Sequence, residues 1–137
     1  MIGSDAGQTN QVFLGNGDGT FGAELLIGNT GNNVLAIWKD RPNAKTIILT
    51  ANPDVIYGLG FVDLKDGPVV YEAAPQMQGL LDDFWHRPLT DIGAAGPDQG
   101  KGGKYLLLPP GYTGDIPDGY YVMKSPTYGV FVFLRAF

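Results

Sequence analysis

No cysteine occurs among the 137 residues. That removes a disulfide framework, a zinc–thiolate site and a cysteine nucleophile. A single histidine is present, so the usual nitrogen and sulfur ligand sets of zinc cannot be assembled. Only two serines occur, Ser4 and Ser125, and neither stands in a Gly-x-Ser-x-Gly elbow. Nine Lys and Arg face fourteen Asp and Glu, for a formal net charge of -5. Without a basic cluster, neither a nucleic-acid footprint nor docking on an anionic membrane is expected. Long apolar runs are also missing. The longest, 105–110 and 130–134, have the length of a strand, not the roughly 20 residues that span a bilayer. The N-terminus has no basic or apolar signal region, so the chain reads as soluble with no signal peptide visible. A mature secreted chain would look the same.

What the sequence does contain is punctuation. Twenty-one glycines and ten prolines separate short runs rich in Val, Ile, Tyr, Phe and Leu. This spacing predicts an all-β antiparallel sandwich with few or no helices, built as one domain over residues 1–137. Strands are expected at 11–14, 24–27, 34–38, 46–49, 55–63, 69–73, 81–87, 105–108, 120–124 and 128–135. The one helical candidate, a turn or two, is 76–83. Asn16-Gly17-Asp18-Gly19 supplies residues that tolerate positive φ, which makes 12–21 a hairpin. Residues 93–104 carry five glycines and no hydrophobic pattern, and read as a mobile loop or flexible lid. Gly100-Lys101-Gly102-Gly103-Lys104 lacks the phosphate-loop spacing and precedes a strand. No nucleotide, flavin or haem is expected.

Several segments are more specific. They are Trp38-Lys39-Asp40-Arg41-Pro42, Thr50-Ala51-Asn52-Pro53-Asp54-Val55-Ile56-Tyr57, Asp66-Gly67-Pro68-Val69-Val70 and Leu89-Thr90-Asp91-Ile92-Gly93. Two more follow, the run from Gly100 to Tyr112 and Ser125-Pro126-Thr127-Tyr128-Gly129. On these, the chain from about Asn32 to Phe137 resembles the bacterial and viral domains grouped as domain of unknown function 1254. The resemblance implies a sandwich of jelly-roll character and no particular chemistry. Members of that family carry a longer N-terminal helical part and continue beyond the position of Phe137. A shorter chain would expose strand edges and apolar faces, so a homo-oligomer is expected. Val12 to Phe21 resembles the opening of one FG-GAP repeat, a segment of residues 1–31 packed on the β domain.

Candidate chemistry concentrates in Asp82-Asp83-Phe84-Trp85-His86-Arg87-Pro88-Leu89-Thr90-Asp91. In a regular strand over 81–87, Asp82, Phe84 and His86 share one face, and Asp83, Trp85 and Arg87 the other. Asp82 could then orient His86 as a general base. The plainer reading of His86 is a surface histidine. A Ser125–His86–Asp91 arrangement is the serine alternative, against a simple turn at Ser125-Pro126-Thr127. Calcium takes oxygen ligands, and Asp83, Asp18 and Asn16 are the candidates for it. Their plainer readings are a solvated bend and a hairpin turn.

Three function classes remain. The first is a small hydrolase of neutral or amphipathic lactones or esters, supported by calcium, with His86, Asp82, Asp91 and Ser125 as candidate catalytic residues. The second is a non-catalytic module that binds a sugar or other small molecule. The third is a structural or assembly protein. The dense polar group inside an aromatic segment tilts the expectation toward the hydrolase.

Overall fold

A computed structural model describes residues 10–15, 21–27, 33–37, 40–43 and 51–136. Ten strands follow one another along the chain: β1 (Asn10–Gly15), β2 (Phe21–Ile27), β3 (Val34–Ile37), β4 (Ile56–Asp63), β5 (Val69–Ala73), β6 (Gln78–Asp83), β7 (Pro88–Ile92), β8 (Gly103–Leu108), β9 (Tyr121–Lys124) and β10 (Gly129–Ala136). No helix occurs among the described residues, so none there is long and apolar enough to cross a membrane.

The fold is all-β. β1 and β2 pair antiparallel, as the expected hairpin requires, and its turn at 16–20 lies outside the described residues. Five strands form one sheet in the order β3-β4-β10-β6-β7, and three form another in the order β5-β8-β9. Pairing is antiparallel except between β8 and β9, which run parallel. The connection that includes Pro109-Pro110-Gly111 and Ile116-Pro117-Asp118-Gly119 carries the chain back to start β9 beside β8. A tight hairpin could not achieve that.

β10 shows how the sequence makes the sandwich. Val130, Val132 and Leu134 are at most 2% exposed, and they alternate with Phe131, Phe133 and Arg135. The first set packs with Val62, Leu81 and Ile92 of its own sheet, and with Ala73, Tyr105 and Leu107 of the other. Residues from both sheets therefore share one core, as face-to-face packing requires. Each fully buried Leu or Val in it contributes about 2 kcal/mol relative to exposure.

Two expectations need correction. Residues 76–83 are not helical: Gln78–Asp83 is a strand between β10 and β7. The strand expected over 81–87 ends at Asp83, and a separate strand, β7, begins at Pro88. Pro88 has no N–H to give a ladder, and β7 is an edge strand, where that lack is tolerated. The strand expected over 46–49 lies outside the described residues.

Candidate functional site

The polar segment is a hairpin tip. The Asp83 amide donates to the Arg87 carbonyl at 2.9 Å, and the His86 amide donates to the Asp83 carbonyl at 3.0 Å. Three residues, Phe84, Trp85 and His86, make the loop, and His86 has φ 56°. A β-turn whose last loop residue is left-handed is a common three-residue hairpin solution. This geometry replaces the alternation expected over 81–87.

Asp83 organises the tip. Its side chain is buried on the core face, opposite Val130. Oδ1 accepts the Trp85 amide at 2.8 Å and the Arg87 amide at 3.0 Å, and Oδ2 accepts Arg87 Nε at 2.6 Å. Burial raises its pKa. The hydrogen bonds from the Arg87 and Trp85 amides and the Arg87 guanidinium outweigh that and hold the carboxyl below its ordinary value. Asp83, expected to be a calcium ligand, thus has both oxygens engaged inside the protein.

Asp82 points to the opposite face, beside Phe131. Its Oδ2 lies 4.0 Å from His86 Nδ1, beyond hydrogen-bond length. Burial raises the Asp82 pKa first. His86 pulls it down, and the Asp83 and Asp91 charges push it up, with a net rise. The His86 side chain is 63% exposed and its ring meets Phe131 edge-on at 5.0 Å. Asp91 sits exposed on β7, opposite Leu80.

Ser125 is buried and belongs to a turn. Its hydroxyl donates to the Thr127 carbonyl at 2.6 Å and accepts the Thr127 amide at 3.2 Å. Thr127 Oγ1 in turn accepts the Phe84 amide at 2.9 Å, which ties this turn to the hairpin tip. Among the described residues, no hydrogen bond joins Ser125, His86 and Asp91. Nor do three or more His, Asp or Glu side chains among them converge as a metal-ligand group. Asn16 and Asp18 lie outside the described residues.

Around this tip the aromatic rings form a continuous run. Trp85 meets Phe84 at 5.7 Å and 83°, Phe84 meets Phe61 at 6.3 Å, Phe61 meets Phe131 at 5.2 Å, and Phe131 meets His86. These rings lie on the face of the five-stranded sheet away from the core. Phe61 is 37% exposed, Phe84 54% and Trp85 69%.

Sequence reasoning passed over Asp98. It is 1% exposed; Oδ1 accepts the Gly93 amide at 2.8 Å and the Tyr105 hydroxyl at 2.9 Å, and Oδ2 accepts the Gly102 amide at 3.1 Å. Burial, and then Asp98 itself, raise the Tyr105 pKa. Gly93 adopts φ +96°, and a Cβ there would stand 2.2 Å from the Met77 carbonyl oxygen. The segment 93–104 is thus pinned at both ends by one carboxylate, which removes the basis for the lid expectation. The signal available was a lone Asp within a glycine-rich run.

Comparison with known proteins accords with this fold. The family described as "Protein of unknown function (DUF1254)" matches residues 32–137. No curated protein matches the chain. Among solved structures, the chain is similar to the VPA0106 protein from Vibrio parahaemolyticus, with a TM-score of 0.54 at 19% sequence identity. The similarity covers 64% of this chain and 23% of that one, so this chain spans well under half of that protein's length.

Proposed function

The chain belongs to the DUF1254 family, and from that premise we propose that it is a non-catalytic binding module for a neutral sugar or similar small molecule. The observation that carries this reading is the exposed ring run of Trp85, Phe84 and Phe61. Large aromatic faces held in place at low entropic cost suit a ligand with an apolar face and polar edges. Asp82 and His86 stand beside Phe131 at the end of the run and offer an acceptor and an imidazole to hydroxyl groups. Asp82 beside the run suits a ligand there without negative charge.

The test is a fluorescence titration with neutral mono- and oligosaccharides. Trp38 and Trp85 are the two tryptophans, so a Trp38→Phe background leaves Trp85 as the reporter. Saturable change that Trp85→Ala and Phe84→Ala abolish supports the module. Absence of any response, with light scattering showing self-association through the same rings, would move the reading to an assembly protein.

A second reading, a hydrolase of lactones or esters, rests on the Asp82–His86 approach of 4.0 Å. It ranks lower because Ser125 and Asp83 are engaged within turns. Two depressions among the described residues, of about 130 and 240 Å³, are lined by neither His86 nor Ser125. Turnover of a lactone and ester panel, with and without calcium, that His86→Ala reduces by roughly 10²-fold would reverse the ranking.

A further inference from the structure

β10 places a cation in an apolar row. Alternation sends Phe131, Phe133 and Arg135 to the face away from the core. Arg135 pairs with Tyr57 on one side and Gln78 on the other. Its Nε is buried and has no hydrogen-bond partner. Among the described residues no carboxylate stands within ion-pair distance of it. A guanidinium keeps its charge at any physiological pH. A buried donor of a charged group left without an acceptor is costly, and in native proteins such a group calls for a water, an ion or a functional cause.

Arg135 borders a half-open depression of about 240 Å³, together with Phe133, Leu80, Ala94 and Ala95. Gln78, Gly79, Asp91 and Ile92 complete the lining. The space is below the usual range for drug-sized ligands and suits a molecule of a few heavy atoms.

We propose that this depression binds a short aliphatic monocarboxylate. The planar fork of Arg135 matches a carboxylate, and this pairing is among the strongest of hydrogen-bonded contacts. Phe133, Leu80 and the two alanines cover the alkyl chain. Asp91 disfavours a second negative charge, which excludes phosphate and dicarboxylates. The same Asp91 would receive the ammonium group if the carboxylate is that of an amino acid. The site shares no residue with the ring run of Trp85, Phe84, Phe61 and Phe131, so it stands apart from the module proposed above.

The experiment is an NMR titration of the isotope-labelled full chain with butyrate. The Arg135 Nε–H signal and the backbone amides of Gly79, Ala94 and Ala95 are expected to shift saturably. Methyl butyrate, which lacks the charge, should leave them in place. Arg135→Gln should weaken butyrate binding roughly tenfold or more, while Trp85→Ala should not alter it. Asp91→Asn should tighten butyrate. A parallel titration with leucine separates the two sources. Tighter binding of leucine that Asp91→Asn abolishes identifies an amino acid, and tighter binding of butyrate identifies a simple fatty acid. Absence of a saturable shift overturns the proposal, as does an equal response to sulfate or to methyl butyrate. Should Arg135→Gln fail to fold, the comparison of butyrate with its methyl ester on the unaltered chain decides the matter.

Discussion

Arg87 Nε donates to Asp83 Oδ2 at 2.6 Å across the β6–β7 hairpin, and the carboxylate that receives it is fully buried. The pair sits beneath a loop whose neighbouring rings are exposed. A buried, saturated acid therefore holds up an aromatic tip from below.

That relationship sets an acid limb to stability. The Asp83 pKa is lowered on folding, so the folded state binds fewer protons there than the unfolded chain. Its stabilisation is complete above the unfolded carboxylate value of about 3.9. It is lost as pH falls through the lowered folded value. Asp83→Asn is expected to be less stable at neutral pH and to lose less on acidification. Denaturant unfolding between neutral and acidic pH checks this; parallel pH profiles for the two proteins would refute it.

Asp82 should behave with the opposite sign. Its folded pKa is raised, chiefly by burial, so its charge costs stability once the pH exceeds the raised value, and that cost disappears below the unfolded value. Asp82→Asn is expected to be more stable than the parent at neutral pH and equal to it in acid. The same unfolding series reads this out, and a loss of stability at neutral pH would contradict it.

Asp98→Ala removes three hydrogen bonds from a buried carboxylate. The expected cost is on the order of 3 kcal/mol, because a buried tyrosine hydroxyl and two amides lose their acceptor. Hydrogen exchange supplies a local check: the Gly93 and Gly102 amides should be protected in the parent and fast in the variant. Fast exchange of both in the parent would show that the loop is not pinned.

His86 holds a left-handed conformation, φ 56°, that a glycine adopts freely. His86→Gly should therefore be more stable by about 0.5–1 kcal/mol, read as a higher denaturant midpoint, with the ring contact to Phe131 as the offsetting loss. Trp85→Ala, at 69% exposure, should change stability by about 0.5 kcal/mol or less while removing sugar binding. A large destabilisation by Trp85→Ala would identify the ring as structural.

The sequence by itself determined the all-β class, since glycine and proline spacing limits segment length and alternation selects strands. It also determined the N-terminal hairpin and the family membership from residue 32 onward. Val130, Val132 and Leu134 were legible as a core face because their period of two is local. The tertiary structure decided where the polar residues act. Adjacent Asp82 and Asp83 differ in role because one faces Phe131 and the other faces Val130 across a strand pair. That strand lies nearly fifty residues further along the chain, which no local pattern encodes. The hairpin tip was misread as strand because its closure depends on a buried carboxylate accepting backbone amides, not on a Gly or Asn signal. Arg135 carries no signal in the sequence beyond its place at the end of the strand expected over 128–135. Only the packing of β6, β7 and β10 makes it a buried donor without an acceptor beside a small apolar depression.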